Sequence, residues 1–428
     1  MVLLRTVTLK RLGGGEAGEK ALARFLRNER VSEAELIGEA RSLALAQVSG
    51  RRVLAIQDTS EINFSRHKRS KASFGTGGNG VDPAILIHPL LIVDADSGLI
   101  LGLLDVQLWS RSSPAPQDAE RRTDDKESRR WLIAAQTAAL LRQAGAISVT
   151  VISDREGDLY PAFVRHPPEV ELLTRAQTDR VLATGGHLFA YLDSLPSAEK
   201  FVLHVPAVPG RAARKATMLL RFAAVRIARP RRNIDRDLPR SVNLHAVDVR
   251  EVDAPAGCEP IHWRLLSTVP VETLEAAHEV IATYRQRWHI EQLFRTCKSQ
   301  GLGIEESQIA TESVLRKLAI VTLRAAVICM QMVHARDGAD TRPASAAFQA
   351  EDIEVLEAIA PTVDGRTERL RNPFPRRSLA WAAWIIARLG GWHGARNRRP
   401  PGPITMHRGL QCFWTMARGF RLKNVSAP

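Results

Sequence analysis

The chain has 428 residues, 45% of them hydrophobic, which is enough for two or three domains with buried cores and excludes disorder of the whole chain. Lysine and arginine number 60 against 46 for aspartate and glutamate, and the formal net charge of +14 favours a polyanionic partner such as nucleic acid. The four cysteines lack CxxC spacing, so neither a zinc knuckle nor a disulfide framework is indicated. Without an unbroken apolar run of membrane-spanning length or a signal-peptide layout, the sequence favours a cytoplasmic protein with no membrane partner.

The first part of the chain predicts a mixed α/β sheet. A charged helical stretch comes first, and a second helix opens at Ser32. The run VLAIQD then predicts a strand that ends in a carboxylate, and residues 84–109 predict two strands joined by a turn at 94–98. A helix follows over residues 124–146, and VTVISD predicts another strand that ends in a carboxylate. The order strand, hairpin, helix, strand is typical of a mixed α/β sheet.

The second part predicts a β-rich block followed by helices. Residues 170–266 contain apolar runs separated by Pro, Gly and Arg, which predict an inserted and mostly antiparallel subdomain. A long amphipathic helix begins at Leu274. Residues 336–376 predict a connector with a short helix, and the apolar helix SLAWAAWIIARL after it ends at Gly390.

Three carboxylates stand out as candidates for chemistry. Asp58 and Asp154 end two predicted strands, and the carboxyl ends of neighbouring strands are where open sheets place their sites. Taken singly, such an Asp is more often a turn former or a helix cap. The third acid is Glu291, on the predicted long helix.

Glu291 shares one face of that helix with cations and an aromatic hydroxyl. At about 100° per residue, five side chains fall within a sector of roughly 80°: Tyr284, Arg287, Glu291, Arg295 and Lys298. An ion pair between Arg287 and Glu291 would be an ordinary helix-stabilising contact. That ion pair would not explain why Tyr284, Arg295 and Lys298 share the same helix face.

The chemistry of the three acids favours a hard metal ion. Mg²⁺ prefers carboxylate and water oxygen, so three acids without His or Cys suit it better than zinc. The glycine-rich GTGGNG at 75–80 has no GK[ST] and no following helix, and it is predicted to be a loop rather than a nucleotide-binding site.

These motifs, taken in order, resemble the IS-four-type DDE transposases with a YREK signature, the group that includes the Tn-five transposase. YRQRWHIEQLFRTCK carries the Y-x2-R-x3-E-x6-K spacing, LAIQDTS and ISDREGDLY resemble the two catalytic-Asp motifs, and KESRRWL resembles the helix after the sheet hairpins. SLAWAAWIIARLGGW is similar to the C-terminal helical region. The resemblance covers about residues 18–420 and is specific as an ordered set.

The resemblance implies an RNase H-like mixed sheet with flanking helices, interrupted by a β-rich insertion subdomain and bounded by N- and C-terminal helical regions. The implied domains are a partial N-terminal DNA-binding region (1–50), the catalytic core in two parts (51–168 and 267–335), the insertion (169–266), a connector (336–376) and a C-terminal dimerisation region (377–428).

The resemblance also implies roles for the candidate residues. Asp58, Asp154 and Glu291 would be the catalytic acids that bind two Mg²⁺ ions, with Mn²⁺ as a substitute. Trp263 would stack on a base flipped out of the DNA, although ordinary core packing is the alternative. The DNA phosphates would be bound by Tyr284, Arg287, Arg295 and Lys298.

The implied function is cut-and-paste transposition by a homodimer bound to double-stranded DNA, both the terminal inverted repeats and the target, in the bacterial cytoplasm near the nucleoid. Asp58 lies close to the start of the chain, whereas relatives carry a longer N-terminal domain. This difference keeps open an N-terminally truncated relative that binds DNA or inhibits transposition through mixed dimers. A third alternative is an RNase H-like nuclease without strand transfer, which the YREK spacing disfavours.

Overall fold

The structure is a computed structural model of the chain and describes residues 7–13, 15–71, 74–78, 80–111, 128–205, 213–231, 237–255, 257–298, 302–338, 340–394 and 400–425. The strands are β1 Arg52–Gln57, β2 Ser60–Asn63, β3 Ala84–Asp94, β4 Ile100–Trp109, β5 Ser148–Ser153, β6 Glu171–Arg175, β7 Glu199–Val205, β8 Arg214–Ala228, β9 Ser241–Val252 and β10 His262–Ser267.

The helices alternate with these strands in the first two thirds of the chain and dominate the last third. They are α1 Leu9–Gly13, α2 Glu16–Arg27, α3 Glu33–Leu45, α4 Arg129–Thr137, α5 Ala139–Gln143, α6 Tyr160–Arg165, α7 Leu188–Ser194, α8 Leu274–Arg285, α9 Trp288–Cys297, α10 Glu312–Ala335, α11 Ala350–Val363, α12 Leu379–Leu389 and α13 Pro403–Val425. The predicted helix over 124–146 is present from Arg129 as α4 and α5, and its first residues, 124–127, lie outside the described part.

The elements form two compact units that are each discontinuous in sequence. The first unit comprises Met1–Ser49, Thr59–Ala115 and His289–Pro428, and the second comprises Gly50–Asp58 and Pro116–Trp288. The chain passes from one unit to the other directly after Asp58 and again directly after Trp288.

The first unit contains an antiparallel sheet of β2, β3 and β4 with helices packed on it. Every residue of β3 is buried. The predicted hairpin is confirmed, because the Asp94 side chain accepts hydrogen bonds from the backbone N–H groups of Asp96 and Ser97 and Gly98 adopts a left-handed φ of 71°. The predicted start of α3 is confirmed too, since Ser32 and Glu35 form a capping box.

The long helix α10 packs on β4 inside the first unit. Within the described residues it is the one helix long and apolar enough to cross a membrane, but 72% of its apolar window is buried, as in the core helix of a soluble protein. The helix α12 is capped by Ser378, whose hydroxyl accepts from the Trp381 N–H, and it ends at the predicted Gly390. Next to it, Gly409 of α13 lies so close to the Ile386 carbonyl that a Cβ there would overlap it.

The second unit is built on a mixed sheet in the order β1, β5, β6, β10, β9, β8, β7. The first three strands are parallel, with Val53 opposite Val149 and Ile56 opposite Ile152. The remaining strands add in antiparallel pairs. The predicted β-rich block is therefore present and mostly antiparallel, and it continues the sheet that begins with β1.

Candidate active site

Two acids lie at the carboxyl ends of adjacent parallel strands of the second unit. Asp58 follows β1 and Asp154 follows β5, each two residues beyond the Ile56–Ile152 pair. The Asp154 side chain caps a 3₁₀ turn over Arg155–Gly157, because its Oδ1 accepts a hydrogen bond of 2.7 Å from the Arg155 N–H. The side chains of Asp58 and Asp154 are 20% and 32% exposed, so both are accessible at the end of the sheet.

One guanidinium faces both acids. Nη1 of Arg287 lies 3.4 Å from Oδ2 of Asp58 and 3.9 Å from Oδ2 of Asp154. The two carboxylates thus share one positive charge, which offsets the repulsion that two neighbouring acids would otherwise feel.

The prediction of one continuous helix through Arg287 is wrong. The helix α8 ends at Arg285, and α9 begins at Trp288. The last turn tightens, since the N–H of Gln286 donates to the Thr283 carbonyl and the N–H of Arg287 donates to the Tyr284 carbonyl. No Pro or Gly marks this break, so the apolar period alone could not reveal it.

Tyr284 completes the polar contacts of Asp154. Its hydroxyl donates to Oδ1 of Asp154 at 3.4 Å, and its side chain is buried. Burial, together with the nearby Asp154 carboxylate, raises the pKa of Tyr284 to about 12. The hydroxyl therefore stays protonated near neutral pH and remains a hydrogen-bond donor to Asp154.

Trp263 lies on β10 and packs against Tyr284. The ring centroids are 5.8 Å apart with an interplanar angle of 63°, an edge-on contact. Trp263 is half-buried, so part of its indole is accessible. The structure thus brings together Asp58, Asp154, Trp263, Tyr284 and Arg287, all within the second unit.

The remaining predicted residues, Glu291, Arg295 and Lys298, lie on α9 or directly after it, in the first unit. Glu291 is in its first turn and Arg295 in its last turn, and both are half-buried. Lys298 directly follows the helix, and its Nζ donates to Ser60 Oγ at 2.8 Å and lies 3.9 Å from Glu305 Oε1. This short segment therefore carries one acid, Glu291, and two cations, Arg295 and Lys298.

The glycine-rich segment is a loop, as predicted, in the part that is described. The N–H of Gly78 donates to Glu61 Oε2 at 2.6 Å, and Thr76 forms bridges to Pro83 and Arg111. Asn79 lies outside the described residues. The loop binds a carboxylate of its own chain.

Sequence reasoning missed a buried ion pair just beyond Asp154. Asp158 accepts hydrogen bonds from the backbone N–H groups of Gln177 and Thr178 at 2.9 and 3.1 Å and from Arg180 Nε at 2.8 Å. The side chains of Asp158 and Arg180 are 0% and 6% exposed. The second aspartate of DREGD, Asp158, was the available signal, because a buried acid needs a partner.

The two strand-end acids fit a hard divalent cation. Both present carboxylate oxygens toward one cationic atom, and such oxygens are the ligands that Mg²⁺ prefers. In the part of the chain that the structure describes, no group of three or more His, Cys, Asp or Glu side chains could hold a metal ion together. The strand ends therefore supply two of the three predicted metal ligands, Asp58 and Asp154.

A basic protein with paired acids at the ends of parallel strands is typical of enzymes that act on nucleic acid. The family model of the transposase DDE domain matches residues 96–328, more than half of the chain, and the chain therefore belongs to the DDE transposase family. It is a transposase that binds DNA, and its mixed α/β architecture agrees with the RNase H-like fold predicted from the sequence. The matched range includes Asp154 and α9 and begins after Asp58.

Proposed function

We propose that the protein is a cut-and-paste transposase of the IS-four type, with Asp58, Asp154 and Glu291 as its catalytic acids. The observation that carries the proposal is the pair of acids, Asp58 and Asp154, at the ends of adjacent parallel strands in a chain of the DDE transposase family. The YREK spacing from Tyr284 to Lys298 supports the finer assignment.

The acids would hold two Mg²⁺ ions, or Mn²⁺ in their place. When bound, such ions make an attacking oxygen nucleophilic and stabilise the leaving oxygen of a phosphodiester. The chain's own contribution is to fix Asp154 through the Arg155–Gly157 turn and the Tyr284 hydroxyl. Arg287 balances the charge of the acids.

The DNA would be positioned by cations and aromatic rings around these acids. Arg287, Arg295 and Lys298 supply charges for phosphate oxygens, and Tyr284 supplies a hydroxyl donor. The accessible part of the Trp263 indole, held edge-on by Tyr284, is suited to stacking on a base extruded from the duplex.

The reaction would proceed by successive phosphodiester exchanges. Water attacks the phosphorus at the transposon end and releases a 3′-OH, which then attacks the opposite strand to form a hairpin and release the flanking DNA. Water opens the hairpin, and the regenerated 3′-OH attacks target DNA. A homodimer would bring both transposon ends together, with contacts from the C-terminal region 377–428, in the bacterial cytoplasm near the nucleoid.

The test is Mg²⁺-dependent cleavage and strand transfer on a DNA fragment that carries the element's flanking repeats. Asp58→Ala, Asp154→Ala and Glu291→Ala should each lower the cleavage rate by about three orders of magnitude, since each removes several kcal/mol of transition-state stabilisation. The matched control is Glu156→Ala, which removes an exposed acid from the turn that follows Asp154 and should leave the rate unchanged.

The products separate the alternatives. Cleavage with joining to target DNA supports the transposase, whereas cleavage without joining supports a nuclease. DNA binding without cleavage, combined with inhibition of an active relative, would replace the proposal with the mixed-dimer inhibitor.

A further inference from the structure

Arg287 places one guanidinium nitrogen between the carboxylates of Asp58 and Asp154. We propose that Arg287 and a divalent cation compete for the same carboxylate oxygens, so that Arg287 holds the acids together without metal and is released toward a DNA phosphate when the cation binds. The inference rests on the proposed function, because it takes Asp58 and Asp154 as metal ligands.

The competition follows from which atoms face each other. A single nitrogen, Nη1 of Arg287, lies near the Oδ2 atoms of both acids, at 3.4 and 3.9 Å. Only 15% of the Arg287 side chain is exposed, so the guanidinium lies within the site rather than in solvent. A divalent cation held by these two carboxylates would draw on the same oxygens that face Nη1.

The contacts of Nη1 with the Oδ2 atoms of the two acids are longer than those of a tight ion pair. Charge-assisted N–H···O⁻ bonds measure about 2.7–2.9 Å, and neither distance to the acids falls in that range. The Arg287 guanidinium also lies 6.0 Å from the Tyr284 ring centroid, at the outer limit of a cation–π contact. A monovalent guanidinium at these distances is a weak competitor for a doubly charged ion.

The backbone position of Arg287 allows such an exchange. Arg287 lies in the turn between α8 and α9, outside both helices, and its side chain reaches both strand-end acids from there. A guanidinium displaced by a cation suits phosphate oxygens, which it binds with two parallel hydrogen bonds. Metal binding and DNA binding would therefore strengthen each other, as reciprocal linkage requires.

The test is Mn²⁺ binding to the full chain without DNA, measured by isothermal titration calorimetry and by the electron paramagnetic resonance signal of free Mn²⁺. Arg287→Gln should bind Mn²⁺ about tenfold more tightly than the wild type, because the competing charge is gone. The matched control is Arg285→Gln, which removes the same charge from an exposed position two residues earlier and should change the affinity less than about twofold.

Two further variants make the result decisive. Asp58→Asn should abolish the tight Mn²⁺ site, which assigns the binding to these acids. Arg287→Lys keeps a positive charge and should bind Mn²⁺ more weakly than Arg287→Gln. A merely structural role for Arg287 would lower metal affinity on substitution, whereas competition raises it.

Contrary outcomes separate the competition from the proposed function. Equal Mn²⁺ affinity in the wild type and Arg287→Gln, with loss in Asp58→Asn, overturns the competition and leaves the proposed function standing. Binding that does not depend on Asp58 in any variant overturns both.

Discussion

The carboxylate of Asp158 shows how a single buried side chain organises the end of β5. It accepts from two backbone N–H groups of the segment after β6 and from Arg180, while its own residue closes the Arg155–Gly157 turn that Asp154 opens. The pair thereby fixes the turn that carries Asp154. Removing one partner of such a pair leaves an uncompensated charge in the interior.

Arg180→Met should therefore lower the free energy of unfolding by about 3–5 kcal/mol, because the Asp158 carboxylate would remain buried without its cation. Urea unfolding followed by circular dichroism measures the change. The control is Arg52→Met, which removes an exposed ion pair with Glu279 and should cost less than about 1 kcal/mol. An equal loss of unfolding free energy in the two variants would contradict the larger contribution expected from the buried pair.

The acids at the strand ends are predictable from the sequence, whereas the position of Arg287 between them is not. An apolar run such as VLAIQD ends visibly at Asp58, so the end of the strand and the acid are read together. Counting 100° per residue places Arg287 on one face of a continuous helix. The count fails because the helix is interrupted at Gln286. A contact between Arg287 and residues far away in sequence has no local signature.

At the scale of elements, signals that lie within one turn were predicted correctly. Gly390 ends α12 as expected, and Asp94 and Gly98 form the hairpin turn. The strand order of the second unit was beyond the sequence, because parallel pairing of β5 with β6 and antiparallel pairing of β6 with β10 are long-range choices. Secondary-structure propensity and the hydrophobic period depend only on residues that are close in sequence, so they do not predict which strands pair.

The close approach of α12 and α13 gives a prediction at this scale. Gly409→Ala should lower the free energy of unfolding by about 1–3 kcal/mol, because its Cβ would overlap the Ile386 carbonyl and force the helices apart. The paired control lies on the same helix. Among the described residues, a Cβ added at Gly419 would meet no atom within 4 Å beyond the backbone of its own helix, so Gly419→Ala should raise stability by about 0.5–1 kcal/mol.

Thermal unfolding of the two variants measures both effects. The two substitutions are chemically identical, but Gly409→Ala should lower the stability and Gly419→Ala should raise it. A Gly409→Ala protein as stable as Gly419→Ala would mean that α12 and α13 do not depend on the close contact.

At the scale of the whole molecule, the net charge of +14 predicts DNA binding that weakens steeply with salt, because each phosphate contact releases counterions. Lys298→Gln should reduce the slope of log affinity against log salt concentration by about one unit, since one phosphate contact is lost. Lys298→Arg keeps the charge and should keep the slope. Fluorescence anisotropy across a salt series measures both, and an unchanged slope in Lys298→Gln would remove Lys298 from the phosphate contacts.

The interleaving of the two units bears on how the protein is made. The second unit ends at Trp288, so all its residues are translated before the ribosome reaches α10 and the other late helices of the first unit. At about 5–20 residues per second, β4 waits on the order of tens of seconds for α10, whereas α3, which also packs on β4, has already been translated. During that interval the largely apolar hairpin lacks one of its two helical covers, and apolar surface exposed in this way during folding is what chaperones protect from aggregation.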